Sequence, residues 1–479
     1  MTRRSTVNGI PALWTEGPEP YTAALVVGAG VCDETLRTAG VAHLVEHLVM
    51  AAMPRTTLET NAWVDDELTV FHATGPREAV DEWLGTLCRV VRDLPLERLE
   101  VEARVLEAED GAAAPPALAF MAGARYGTDG VGALGRHGAP SRTLTRDHVR
   151  DFVARRYVSG NAVVISTGAP PEHADVRLPD GARPTRPEAR ESRLALPGYV
   201  ADPPVPLASW LVERTPVAPV LLTLVIEALT RSLRHDQGLV YEVDGGSSPV
   251  DDATLLAVLW ADGAEEGQVR VLESTVGVLR DLAASGPEPS ELAHEQAVAR
   301  QRLTDPRGTV DRLVVGAYRL LAGRPVRTAE EESTDVEAVT REDVARAAAR
   351  ALETLLLAGT RPVPGGIAGV PDRTDDEPPP VPEVTGRPWT RRLLSTAPRD
   401  LRVVIGESGM TQTAHGHRHG GSWADLRGVA QGPDFRALVF ADGGQTTVWP
   451  GHLRNGAEAI AEIDRRAGVL AFEVDADWL

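Results

Sequence analysis

Within Val41-Ala-His-Leu-Val-Glu-His-Leu-Val-Met50, His43 and His47 stand four positions apart, which on a helix puts both imidazoles on one face, one turn above the other. Two imidazoles so placed can grip a single metal ion. Glu46, three residues after His43 and next to His47, can reach a water on that ion without serving as a ligand itself. The spacing describes a metal that activates water and a carboxylate that takes the proton. A catalytic zinc normally has three protein ligands and an open position, so a third donor, expected to be a carboxylate, has to come from elsewhere in the chain.

His43-x-x-Glu46-His47 is the inverted zinc-protease pattern. Its surroundings, Gly40-Val-Ala-His-Leu-Val-Glu-His47, resemble the Gly-Leu-Ala-His-Phe-Leu-Glu-His type of sequence in the pitrilysin/insulinase family of zinc metallopeptidases, in its processing-peptidase-like branch. Further matches follow in order. Asn61-Ala-Trp-Val-Asp-Asp-Glu-Leu-Thr-Val-Phe71 resembles the family's Asn-Ala-x-Thr-x-x-Glu-x-Thr-x-Tyr segment, which implies that Asn61 and Ala62 lie on an edge strand that pairs with substrate backbone. Phe152-Val-Ala-Arg-Arg-Tyr-Val-Ser-Gly-Asn-Ala-Val-Val-Ile-Ser-Thr-Gly168 is similar to the helix leading into the last strand of the family's first domain. Leu233-Arg-His-Asp-Gln-Gly-Leu-Val-Tyr241 resembles the family's Leu-Arg-Glu-x-x-Gly-Leu-Ala-Tyr, so Arg234 and Tyr241 would hold substrate and help polarise the scissile carbonyl.

The resemblance also points to a third ligand. Leu99-Glu-Val-Glu-Ala-Arg-Val-Leu-Glu-Ala-Glu109 matches the family's Ile-Glu-Arg-Glu-x-x-Val-Val-Leu-Glu-Glu without a gap if Glu109 is the ligand and Glu102 the supporting carboxylate. A shift of two makes Glu107 the ligand and Glu100 the support. The two candidates lie about 200° apart on a helix and do not share a face. The ungapped register favours Glu109, although a run of glutamates is usually a solvated face. The family also has a longer segment between the second histidine and the Asn-Ala strand than 47–61 allows, as though a helix there were trimmed. What the resemblance implies is a Zn2+-dependent endopeptidase for short or unfolded peptides, with leader removal or other peptide processing compatible. It also implies a homodimer, or a heterodimer with a homologous subunit. The alternatives are a catalytically silent, peptide-binding subunit of such a pair, or a structural zinc module, for which no fourth ligand is apparent.

These residues need a scaffold, and the patterning supplies one. Apolar runs at 23–28 and 162–166 and the alternating 68–72 read as strands, while 38–51, 77–91, 96–109 and 145–157 read as helices. The order recurs loosely with a strand over 254–260, helices over 267–284, 288–303, 310–321 and 341–352, and the apolar 355–358. A duplicated α+β unit is expected, each half a mixed sheet with helices packed on it. Two proline-rich stretches, 170–204 and 361–388, read as linkers. The boundaries are 1–180 for a metal-binding peptidase domain, 200–362 for a homologous domain carrying Arg234 and Tyr241, and 363–388 for a linker. Residues 389–479 then form a small β-barrel-like unit with a C-terminal helix over 456–466. Its short strands and the hairpin turning at Asp442-Gly-Gly resemble a pleckstrin-homology-like domain, with Trp423 and Trp449 as core or staple residues.

The remaining features exclude more than they assign. The chain has 479 residues and 49 basic against 69 acidic side chains, a formal charge of −20 with every basic residue an arginine. Nucleic acid and anionic membranes are poor default partners. Cys32 and Cys88 are the only cysteines, too few for a disulfide framework, and the start has no signal-peptide pattern. A cytoplasmic protein without membrane insertion is expected. His72, His137, His148, His173, His235, His294 and His452 have no partner at ligand spacing and read as structural or surface residues. His415-Gly-His-Arg-His419 reads as a mobile loop, with adventitious metal binding as the lesser alternative.

Overall fold

The computed structural model describes residues 2–110, 117–135, 138–171, 174–186, 188–192, 194–201, 203, 205–262, 267–374, 376, 381–476 and 478. His137 and His173 lie outside them. Strands Arg3–Val7 (β1), Ile10–Trp14 (β2), Tyr21–Val27 (β3), Glu59–Val64 (β4), Thr69–Gly75 (β5) and Ala162–Ser166 (β6) form one mixed sheet ordered β1-β2-β6-β3-β5-β4. Every residue of β3 and β6 is buried, which is why both read as unbroken apolar runs: their two faces are both covered. The first part of the chain also contributes helices Val41–Ala52 (α1), Arg77–Arg92 (α2), Leu99–Asp110 (α3), Ala117–Tyr126 (α4) and Arg146–Arg156 (α5). Helices α1, α2, α3 and α5 cover one face around Leu25, Leu44, Leu48, Phe71, Leu84 and Phe152.

Strands Gly198–Ala201 (β7), Leu207–Glu213 (β8), Val243–Pro249 (β9), Thr254–Ala261 (β10) and Leu356–Gly359 (β11) build a second sheet, ordered β7-β11-β8-β10-β9. Its helices are Val217–Leu229 (α6), Gln268–Ser285 (α7), Pro289–Thr304 (α8), Thr309–Leu321 (α9), Ala329–Glu337 (α10) and Arg341–Glu353 (α11). Most of them pack on one face around Trp210, Leu221, Val225, Leu279 and Val344.

The two halves each lend the other a helix. Leu313, Ala317 and Leu321 of α9 pack on Leu13, Val26, Val163 and Ile165, the remaining face of the first sheet. Reciprocally, Met121, Ala122 and Tyr126 of α4 cover Leu207, Leu256 and Leu356 of the second. Amphipathic patterning shows that a helix must bury a stripe but not against which sheet, so this exchange is not legible in the sequence.

The proline-rich stretches do more than link. Val176 and Leu178 are buried in the first core, and Arg186 ion-pairs with Asp33 at 2.7 Å and Glu67 at 2.6 Å. Ile367 and Val370 are buried in the second core, and Tyr199 bridges to Asp372. Proline keeps such segments extended, and the apolar residues between the prolines strap them to the surface.

The last part of the chain has two four-stranded sheets. One is Gly386–Thr390 (β12), Arg402–Gly406 (β13), Gly409–Ala414 (β14) and His417–Ser422 (β15) in sequence order. The other contains Leu426–Gln431 (β16), Arg436–Phe440 (β17), Gln445–Val448 (β18) and Ala471–Glu473 (β19), ordered β18-β17-β16-β19. With helix Gly456–Ala467 (α12) they enclose Trp389, Val403, Ile405, Met410, Leu438 and Ile463. Against the barrel-like expectation, no barrel closes among the described residues. Strands β17 and β19 occupy the two edges of β16, so none is left for β15.

The histidine-rich stretch is also not the expected mobile loop. His415 (φ 55°) and Gly416 (φ 85°) form the two-residue turn between β14 and β15, as a right-twisted hairpin requires. Asp400 accepts both backbone N–H groups, at 3.0 Å from His415 and 2.6 Å from Gly416.

Where the halves meet, Asp66 in the β4–β5 turn accepts a hydrogen bond from Ser248 of β9. Burial pushes its carboxyl up to about 6, the Ser248 bond opposing. Since this value lies above the unfolded one, the folded state binds the extra proton, and stability falls as pH rises from about 4 through about 6. Thermal melts should find Asp66→Asn relieved of a penalty of about 2 to 3 kcal/mol above pH 7, with no difference from the parent near pH 4.

Candidate metal centre

Helix α1 starts where the local chemistry forces it to. Gly40, the residue before it, has φ +81°, and a Cβ there would lie 3.0 Å from the Ser141 hydroxyl. The backbone N–H groups of Gly40 and Ala42 each donate to Glu34 carboxylate oxygens at 2.9 Å, so a buried carboxylate satisfies orphan donors and sits at the positive end of the helix dipole. Gly40→Ala should cost about 1 to 2 kcal/mol by placing a side chain in the left-handed region, measurable by denaturant titration. Val41, Leu44, Val45, Leu48 and Val49 lock the helix into the core. This leaves His43 and His47 half-exposed at its surface, with Glu46 buried between them.

Helix α3 faces this surface. Glu109 Oε2 lies 3.8 Å from His43 Nε2 and 3.7 Å from His47 Nε2, and among the described residues these three form the one group of three or more histidine, cysteine or acidic side chains spaced to share an ion. Tetrahedral zinc with ligand bonds of about 2.0 to 2.1 Å needs donor separations of about 3.3 to 3.4 Å; Glu109 is within a few tenths of an ångström of that from each imidazole, and all three donors lie within 4.8 Å of one another. The donor set fits zinc chemically, and three ligands leave one position open.

Glu46 Oε2 lies 3.8 Å from both His43 Nε2 and His47 Nε2, close to the metal position. Burial raises its carboxyl above the ordinary value and the charges of Glu109 and Glu102 add to this, while His47 pulls it back. That is the direction a carboxyl needs if it is to take up a proton near neutrality.

The two glutamate registers separate clearly. Glu107 turns away from the histidines and accepts from Arg142, at 3.1 Å from both the backbone N–H and Nη1. Glu100 is exposed. Glu102 is buried, with an oxygen 3.5 Å from His47 Nδ1, and Arg98, unremarked in the sequence reading, clamps its other oxygen at 2.7 Å. The signal for Arg98 was its i, i+4 spacing to Glu102; Glu34 had none, because its partners are backbone groups. A carboxylate holding the far nitrogen of a metal-binding imidazole fixes its tautomer and raises its basicity. Glu102→Ala should therefore weaken zinc binding about 10- to 100-fold with little change in fold, as read by competition with a chelating dye.

Asn61 and Ala62 lie on β4, the sheet's edge strand, opposite His72 and Phe71 of β5. Among the described residues its other edge pairs with no strand, and β4 is in contact with α1. Arg234 and Tyr241 are brought to each other: the guanidinium stacks 5.1 Å over the ring, beside the π-helical turn Thr230–Asp236. Tyr241 is 74% exposed, and its backbone N–H donates to Asp262 at 2.7 Å. The contacts described for this pair stay within the second half of the chain, and none reaches the histidines of α1. His148, one of the unassigned histidines, caps α5 by accepting the Thr145 N–H at 3.3 Å.

Comparison with known proteins agrees with this arrangement. Residues 18–115, which carry α1, β4 and the whole of α3, match the family described as Insulinase (Peptidase family M16). No curated protein matches the chain significantly. Solved structures share the fold at low identity. A chain of complex III from Candida albicans is 15% identical with TM-score 0.59, covering 75% of this chain and 95% of its own. A structure titled as a peptidase M16 inactive domain from Pseudomonas fluorescens is 16% identical with TM-score 0.60, covering 74% and 97%. The first half of the periplasmic protease PqqL from Escherichia coli is 14% identical with TM-score 0.57, covering 75% and 92%. The mixed α+β architecture is therefore that of M16 domains.

Proposed function

We propose that the chain is a zinc-dependent endopeptidase that hydrolyses short or unfolded peptides. The observation that carries this is the convergence of His43, His47 and Glu109 around one point with Glu46 beside it, inside the segment that matches the insulinase family. Zinc held by these three side chains would supply Lewis acidity to a peptide carbonyl and lower the pKa of a water. Glu46 takes the proton from the attacking water and returns it to the leaving amine. Extended peptide adds to β4 at Asn61 and Ala62 through main-chain hydrogen bonds, which selects substrates without folded structure. Glu102 and Arg98 keep His47 oriented.

The stacked Arg234–Tyr241 pair supports a two-subunit arrangement, because Tyr241, 74% exposed, is open to a site built with a second subunit. A homodimer or a heterodimer with a homologue fits, and maturation of a peptide by leader removal is a compatible use. The run of four strands, three strands and a helix over 386–467 supports the pleckstrin-homology-like reading of the last unit, with a protein-contact or regulatory role. A second reading, a silent subunit, draws on the inactive M16 domain among the fold neighbours. The test is cleavage of a mixed peptide library followed by mass spectrometry, with zinc quantified in the same sample. Cleavage supports the peptidase; zinc without cleavage by the chain alone or with a homologous partner favours the silent subunit.

A further inference from the structure

A second cavity lies away from the metal centre. It has a volume of about 820 Å³ and opens between α6, α8, α9 and α10, and no residue assigned to the metal centre lines it. That volume is within the ordinary range for organic ligands, about 300 to 1,000 Å³. Its wall is apolar, from Val220, Leu255, Val298, Leu303, Val315 and Val336. Val315, on the first-sheet helix α9, is left 48% exposed there.

The charges around this wall are unlike those of the chain. Five arginines, Arg214, Arg302, Arg319, Arg324 and Arg327, meet three carboxylates, Glu295, Glu332 and Asp335, in a protein of formal charge −20. Two of the arginines are spoken for: Arg319 pairs with Glu332 at 3.0 Å and Arg327 with Asp335. Arg214 instead stacks 4.9 Å over the Tyr318 ring. Among the described residues Arg214, Arg302 and Arg324 have no ion pair with a carboxylate. Arg214 and Arg324 are half-buried and Arg302 lies exposed at the rim. A partly desolvated guanidinium without a carboxylate partner is costly, and its planar fork suits a carboxylate or phosphate.

We propose that this cavity is a binding site for an amphipathic organic anion: a carboxylate or phosphate monoester held by Arg214, Arg302 and Arg324, carried on an aliphatic body that covers Val220, Val298 and Val315. The inference goes beyond the peptidase reading and uses none of its residues. Both parts of the ligand are needed: the apolar wall supplies affinity through buried area, and the arginines exclude neutral amphiphiles that would leave them unpaired.

Calorimetric titration of the full chain tests this with decanoate and decyl phosphate, below their micellar concentrations, against decanol and inorganic phosphate. One anionic amphiphile or both should bind with one-to-one stoichiometry, and the tighter of the two identifies the headgroup. Decanol should bind at least tenfold more weakly and inorganic phosphate not measurably. The Arg302→Gln/Arg324→Gln double variant should lose at least tenfold, Val298→Trp should abolish binding by filling the cavity, and His47→Ala should change nothing. Decanol binding as well as the anions, anion binding indifferent to the arginine changes, loss of binding in His47→Ala, or no binding by either amphiphile would each overturn the proposal. If Val298→Trp fails to fold, the surface arginine variants still decide it.

Discussion

Glu46→Gln should lower the rate of peptide hydrolysis by about 10²- to 10⁴-fold, the range that a positioned general acid–base contributes, while zinc content stays at the parental level. The amide keeps the shape of the carboxylate but cannot take up the proton. Glu46 stands 3.8 Å from both imidazole nitrogens as a neighbour of the ligand set, so the variant separates chemistry from metal binding. KM should change little if, as proposed, peptide adds along β4. The parent should also show an acid limb in kcat/KM where Glu46 takes up its proton. That limb should vanish in the residual activity of the variant. Equal activity in both forms, or loss of zinc from the variant, would remove Glu46 from its assigned role.

The parts of this site that the sequence made legible are those fixed by one helix. His43, Glu46 and His47 follow from a spacing that only needs α1 to be helical, and the apolar residues between them guarantee that it is. Long, strongly patterned elements such as α2, α7 and α11 are read for the same reason: their periodicity is local. What stays hidden depends on partners distant in sequence. Helix α9 is amphipathic in the sequence, yet nothing in its pattern says that it covers the first sheet and not the second. The strap at 174–186 looks like a linker until Arg186 is seen paired with Asp33 and Glu67. Likewise His415 and Gly416 are loop-like by composition, and only the pairing of β14 with β15 makes them a hairpin turn. The Arg234–Tyr241 motif was legible as a pair, while the stacking of the guanidinium on the ring was not, because it is set by the fold of the turn between them.

The choice between Glu109 and Glu107 carries the second large expectation. The two residues are adjacent candidates by sequence, yet they stand in opposite environments. Glu109 is half-exposed, its side chain 50% accessible, and has an oxygen within 3.8 Å of both imidazoles. Glu107 ties α3 through Arg142 to Asp475 in the last unit of the chain, at 3.1 and 2.6 Å. Glu109→Gln should thus cost zinc affinity more than about 100-fold, beyond what loss of a supporting partner such as Glu102 costs, and activity should fall with metal content. Glu107→Gln should keep full zinc occupancy, and because exposed ion pairs contribute only about 0 to 1 kcal/mol, its melting temperature should barely move. Cobalt substitution reads the difference directly through the visible absorption of the bound ion. Were Glu107→Gln the variant that lost metal, α3 would have to rotate by about 200° to present it. Such a turn would pull Glu102 from His47 and expose the apolar stripe of α3, so metal binding by Glu107 is incompatible with the packing that holds the rest of the centre.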